Sequence, residues 1–172
     1  AGATVLWAGL YWGAEAPTSA LPSPNTVLFR TPASSSYNSI TADHTDTYLR
    51  PDNRRQYQGF RDVTTLVQAG GSGTYWVANV QGSPNFSDRY AGWGLVVVFQ
   101  HSSEPLRHLN VFDGYAAVTN VNNNVPVVIS GFLTPATGTV TSRIGTIAYE
   151  GDLATSNDTL RLNSTDISDT TN

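Results

Sequence analysis

Cysteine, methionine and lysine are all missing from this 172-residue chain, whose nine basic residues are therefore all arginine. Without cysteine there is no disulfide framework, no thiolate metal site, no cysteine nucleophile and no internal thioester. Without lysine, a lysine–asparagine side-chain isopeptide staple is excluded. Missing cysteine does not place the protein inside a cell, because bacterial surface domains also do without it. Long apolar runs are scarce too. The longest, Leu95–Phe99, is far short of the ~20 residues that a helix needs to cross a bilayer, so no membrane span is expected. Charge is sparse, at 13% of residues, and the formal net charge is −4. That balance argues against nucleic acid, which demands a basic face. The chain starts at Ala1 with no visible signal peptide, so it reads as a mature or excised piece.

What is present is strand pattern. Leu95-Val96-Val97-Val98-Phe99 is an unbroken β-branched and aromatic run, opened by Gly92-Trp93-Gly94 and closed by a polar turn at Pro105. It reads as a strand buried on both faces. Leu106–Phe112 reads as its partner, ending at Asp113-Gly114. Ala3–Trp12 predicts a long, mostly buried strand, and Val27–Phe29 a short one after a loop containing Pro17, Pro22 and Pro24. Thr31–Arg55 dissolves into polar residues, with a strand at Thr45–Leu49. It reads as a long surface excursion, where function tends to sit. Asp62–Val67 predicts a short helix with Asp62 as N-cap and Gly70-Gly71 as its stop. Further strands are expected at Thr74–Val80, Val125–Phe132, Val140–Glu150 and Thr159–Leu162. Eight to ten strands with at most one short helix predict an all-β, antiparallel, jelly-roll-like β-sandwich. Chain length suits one domain. We place it at residues 1–162, with 163–172 as a polar tail or a lead into a neighbouring segment.

Several motifs recur in a recognisable order. They are Ala8–Gly13, Asp62-Val63-Thr64 with Gly73-Thr74-Tyr75, Ala91-Gly92-Trp93 through Val98, Pro105-Leu106-Arg107 with Phe112-Asp113-Gly114, Ser130-Gly131-Phe132, and Glu150-Gly151-Asp152. The set resembles a domain found near the start of large secreted bacterial surface proteins, which continue into conserved-repeat, immunoglobulin-like stalk modules. The resemblance implies surface display and adhesion. It also implies further strands past Glu150-Gly151-Asp152, so that an edge strand here is open or filled by another chain.

Candidate chemistry is thin. Asp43, Asp46 and Asp52 gather oxygen ligands in one loop region, the donor type that hard cations such as calcium take. Their spacing is not that of an EF-hand, and a solvated polar loop is the simpler reading. Glu150, Asp152, Asn157 and Asp158 form a second such group. The histidines, His44, His101 and His108, lack metal-ligand spacing. No cofactor other than calcium is implied. Paired carboxylates for glycoside hydrolysis would have to come from Glu15, Glu104 or Glu150, which read as turn or strand-end residues. Gly71-Ser72-Gly73 lacks the strand–elbow–helix context of a nucleophilic serine. We therefore expect no enzyme.

Aromatic residues offer a better lead. Tyr37, Tyr48 and Tyr57 of the polar excursion are the rings expected to be exposed and, with Arg54, are candidate ligand-binding residues for a glycan; the rings in or beside strands, Trp7, Trp12, Trp76 and Trp93 with Tyr11, Tyr75, Tyr90 and Tyr115, could instead fill the core. In Tyr11-Trp12 and Tyr75-Trp76, neighbouring rings must point to opposite faces of a strand, so half of them face outward or into a second layer. Arg50, Arg54, Arg55 and Arg61 lie among Asp43, Asp46, Asp52 and Asp62, which reads as an ion-paired patch. Arg89 and Arg107 are expected to cap strand-end carbonyls or to pair with Asp88 or Asp113.

Two functions follow as expectations. One is an extracellular structural or adhesive module whose partners are copies of itself or neighbouring surface modules. There the apolar opening strand, with Val5, Leu6, Trp7, Leu10, Tyr11 and Trp12, would complete a neighbour's sheet by strand addition. The alternative is a carbohydrate-binding module that uses exposed rings, with or without calcium.

Overall fold

The computed structural model describes residues 2–17, 19, 23–83, 89–149 and 159–168. Strand β1 (Thr4–Pro17) is the longest element, followed by β2 (Thr26–Arg30), β3 (Asn38–Thr41), β4 (His44–Leu49) and β5 (Arg54–Asp62). A helix, α1 (Thr64–Gly70), precedes β6 (Trp76–Ala78) and β7 (Ala91–Gln100); a small hairpin, β8 (Arg161–Leu162) and β9 (Thr165–Asp166), comes last. One sheet has the order β4-β5-β1-β7 and a second the order β3-β2-β6, with every pairing antiparallel. The fold is the all-β sandwich that strand periodicity predicts, with a single short helix. No helix among the described residues is long and apolar enough to cross a membrane.

Alternation along β1 builds the core. Ala8, Leu10, Trp12 and Ala14 point inward against Val27 and Phe29 of β2, Ile40 of β3, Tyr57 of β5 and Val67 of α1. Trp12 is wholly buried and donates its indole N–H to the Pro24 carbonyl at 3.0 Å, so its polar edge is satisfied. Gly59 lies opposite Trp12 because nothing larger fits there: a Cβ would stand 2.6 Å from the indole ring. Tyr57 is equally buried, and its hydroxyl donates to the Gln81 carbonyl at 2.8 Å.

The odd-numbered residues of β1 face the other way, yet Tyr11 and Glu15 are buried as well. A second layer covers them. Residues from Leu109 to Tyr115 lie over this outer face, where the Gly114 carbonyl accepts from Gln58 Nε2 at 3.2 Å. Tyr149 sits over Gly13, where a Cβ would lie 3.2 Å from its ring.

Several expectations change. β3 and β5 come from stretches whose polar residues hide any strand pattern. The helix begins at Thr64 with Val63 as its cap residue, but Asp62 Oδ1 still accepts from the Thr64 N–H at 2.9 Å. Gly71, at φ 67°, stops it as expected. Leu95–Phe99 is not buried on both faces: β7 is an edge strand, and Trp93 and Phe99 are 41% and 50% exposed. Leu106–Phe112, Val125–Phe132 and the described part of Val140–Glu150 pair with no strand. Parts of them instead cover the outer face of β1 and β7, with Leu109 and Val111 near Val98, Ile147 over Gly94 and Tyr149 over Gly13. The expected polar tail instead supplies half of the β8–β9 hairpin, which turns at Asn163 with φ 53°.

Candidate functional site

The outer face of the four-stranded sheet holds two distinct groups of side chains. At one end Glu15 stands opposite Gln56 in the β1–β5 register. Its side chain is only 3% exposed. Arg54 Nη1 approaches Glu15 Oε1 at 2.5 Å, Arg89 Nη1 lies 3.4 Å from the same oxygen, and Arg50 Nη1 lies 3.3 Å from Oε2. Gln56 Nε2 adds a donor at 2.8 Å. A carboxylate taken out of water needs such compensation, since an unpaired buried charge costs several kcal/mol. Arg54 also pairs with Asp52, and this bond, with Arg50 nearby, holds the Asp52 carboxyl down at about 2.

Beside this cluster lie three tyrosines. Tyr90 and Tyr149 stack with ring centroids 6.1 Å apart. Burial, then the neighbouring Tyr115, pushes the Tyr90 hydroxyl well above the usual phenol range; Tyr115 and Tyr149 are raised chiefly by burial. Tyr90 and Tyr115 hydrogen-bond to one another, while the Tyr149 hydroxyl is buried with no partner among the described residues.

At the other end is a groove of about 460 Å³, lined by Trp7, Tyr11 and Phe60 on one side and Leu109, Val111 and Asp113 on the other. Phe60 is its hub, with Tyr11 at 5.0 Å, His44 at 5.2 Å and Trp7 at 6.3 Å between ring centroids. His44 Nε2 lies 3.1 Å from Asp113 Oδ2 and 3.7 Å from Asp46 Oδ2. The Tyr11 hydroxyl is buried without a hydrogen-bond partner, an uncommon condition that costs free energy. Burial and then Asp113 raise it to about 12. Chemically, the groove offers aromatic faces with a donor and an acceptor at their margin.

A third feature is main-chain. β7 pairs with β1 along one side, from Ala91 opposite Ala14 to Gln100 opposite Thr4, and no described strand pairs with its other side. Its sequence, AGWGLVVVFQ, has no charge and no proline. Beside its Phe99 end is a cleft of about 570 Å³, lined by Val97 and Phe99 with the paired Val5 on the sheet side and by Val67 and Tyr75 facing them.

The residues singled out from sequence fall in different places. Tyr57 is a core residue and no ligand-facing ring. Tyr48 and Arg54 share the outer face, but Arg54 is committed to Glu15 and Asp52. Tyr37 is elsewhere, 41% exposed, with the Arg30 guanidinium 5.3 Å from its ring; Arg30 also lies 3.7 Å over Trp76. These four make no common site. Asp43, Asp46 and Asp52 do not converge either. Asp43 pairs with Arg61 at 2.6 Å and accepts from the Asp62 N–H, Asp46 faces His44, and Asp52 is held by Arg54. Among the described residues, no three His, Asp or Glu side chains are grouped to hold a metal. Glu150, Asp152, Asn157 and Asp158 lie outside the described residues. The ion-paired reading of Arg50, Arg54 and Arg61 holds, while Arg89 turns to Glu15. Of the residues expected to complete a neighbour's sheet, Leu10, Tyr11 and Trp12 lie between β5 and β7 of the same chain, whereas Val5 and Trp7 pair with β7 alone, Leu6 lies at the bulge between them, and the β5 pairing begins only at Gly9. The edges of this sheet are β4 and β7, and β7 is the longer and the uncharged one.

The Glu15 cluster escaped the sequence reading because Glu15 looked like a turn residue. The available signal was a lone glutamate in an otherwise apolar strand, with three arginines between residues 50 and 55. No family model, curated protein or solved structure matches this chain.

Proposed function

We propose that this chain is an extracellular structural or adhesive module of a bacterial surface protein, and that it joins copies of itself by strand addition at β7. The observation behind this reading is the β7 edge: ten residues long, uncharged, apolar and unpaired on one side. Such an edge is a template for another strand, with main-chain bonds supplying affinity and alternate side chains specificity. The sparsely charged, hydroxyl- and amide-rich composition and the resemblance to surface-protein domains support the extracellular setting. Sedimentation velocity of the wild type and of a Trp93→Lys/Phe99→Lys variant tests it. Wild type should associate with rising concentration and the variant should stay monomeric. A wild type that remains monomeric at high concentration overturns the reading.

A second reading, carbohydrate binding, is favoured by the groove at Trp7, Tyr11 and Phe60. A sugar ring presents an apolar face for stacking on Trp7 and Phe60 and hydroxyls for the Asp113 carboxylate at the groove's margin. The relevant rings are then these, and not Tyr37, Tyr48 and Tyr57. A glycan array probed with and without calcium tests it, and Trp7→Ala should abolish any binding seen. An array with no hits removes this reading.

A further inference from the structure

We infer that the strand added at β7 is Val125–Gly131 of a second copy, given reciprocally, so that two chains close one another's open edge. This rests on the edge-docking reading above and names its donor. From Gly114 to Ser142 there is no charged residue and no histidine. Within that stretch Val121, Val127 and Val128 are 90%, 72% and 92% exposed. An uncharged β-branched segment left in water has strand propensity and no strand to meet it. β7 is the matching half: equally uncharged, and with one side of its main chain unpaired. Neither surface carries a charge that docking would have to desolvate.

The fit extends to shape. Seven residues of strand reach roughly 23 Å, within the roughly 33 Å of a ten-residue β7. Strand alternation would send every second side chain of the donor over the cleft that Val97, Phe99, Val5, Val67 and Tyr75 leave open. Pro126 lacks an N–H and so removes one donor from the ladder, which suits this strand to the outside of a sheet. Exchange in both directions closes a two-fold dimer and leaves no growing fibre.

The donor is a second copy because the arm is tethered at its root. Phe132 packs on Phe112 with centroids 5.7 Å apart, and the Leu133 N–H donates to His108 Nδ1 at 3.3 Å. Anchored there, Val125–Gly131 pairs with no described strand while β7 pairs only with β1, so edge and arm are open together in one chain.

A chain free of cysteine makes the test clean. Val97→Cys protein is mixed with Val127→Cys, Val128→Cys or Ile129→Cys protein, oxidised, and mapped by mass spectrometry, beside sedimentation of the cysteine-free chains. We expect at least one mixed disulfide between chains. We also expect a dimeric wild type that becomes monomeric in Val127→Asp/Val128→Asp, with its circular dichroism unchanged. If that arm variant stays dimeric while Trp93→Lys/Phe99→Lys is monomeric, the donor assignment fails and edge docking survives. If the wild type is monomeric and the double variant Val97→Cys/Val128→Cys closes its disulfide within one chain, the arm fills its own edge and the exchange is overturned. A monomeric wild type with no disulfide at all removes both readings.

Discussion

Residues 4–100 and residues 101–149 are written in much the same alphabet, yet they behave as different materials. In the first region β-branched and aromatic residues alternate and pack: Leu10, Trp12, Val27 and Phe29 are sealed from water. In the second, Val118, Val121, Val127, Val128 and Leu133 are just as apolar and remain mostly exposed. The difference lies in partners. β1 has a strand on each side and a sheet beneath it, whereas Val125–Phe132 has neither. Hydrophobic pattern specifies which face a strand can bury; whether anything covers that face is a property of the whole assembly. The second region packs on the first at Leu109–Tyr115, at Ile147 over Gly94 and at Tyr149 over Gly13.

Truncation should expose that contrast most strongly. Trp12→Ala is expected to cost about 3–5 kcal/mol, because it opens a cavity between the two sheets and removes the bond to Pro24. Val121→Ala, at 90% exposure and outside the inferred donor strand, should stay within about 0.5 kcal/mol. Urea unfolding of the two variants measures the gap, and equal effects would erase the distinction between the regions. Next in size is Glu15→Gln. Removing one charge from a buried cluster leaves the guanidiniums facing a neutral amide, at about 2–4 kcal/mol, below the full figure for a buried pair because Arg50 is partly exposed.

Alkali should loosen the packed region first. Tyr57 is raised from 10.0 to about 12 by burial, so between those values the folded chain keeps a proton that the unfolded chain has lost. Stability therefore falls as pH rises from 10 to 12, by about 2–3 kcal/mol for a shift of this size. A Tyr57→Phe chain, which has no proton there to lose, should show a shallower decline in melting temperature over that range. The smallest effect is at acid pH. Asp52 is lowered from 3.8 to about 2 by Arg54, so what it contributes is present above its unfolded value and is lost as pH falls through that interval. Asp52→Asn should lower the melting temperature slightly at neutral pH and converge with wild type near pH 2.

Legibility followed locality. β1, β2, β4 and the glycine stop of α1 were readable because alternation, flanking prolines and Gly71 act over a few residues. β5 was not: Arg54, Arg55, Gln56 and Gln58 look like surface, and only the second layer of Arg50, Arg89, Glu15 and Gly114 makes that polar face an interior one. The same gap hid the candidate site. Tyr57 read as an exposed ring, but the core claimed it. Trp7 and Phe60 form a platform only because a bulge between Val5 and Trp7 and the pairing of β1 with β5 bring them to one face.

By itself, then, the order of residues determined that this protein is built from strands, that no thiol, lysine or membrane helix takes part, and where β1 and β7 run. Those are matters of side-chain type and of a two-residue period, which each segment carries within itself. Tertiary structure alone decided that β1 is central and β7 is an edge, that Glu15 is buried among arginines, and that Tyr11 lacks a partner. Each of these depends on which distant segment arrives alongside, and strand pairing is a contact between residues far apart in the chain, set by the packing of the entire sandwich.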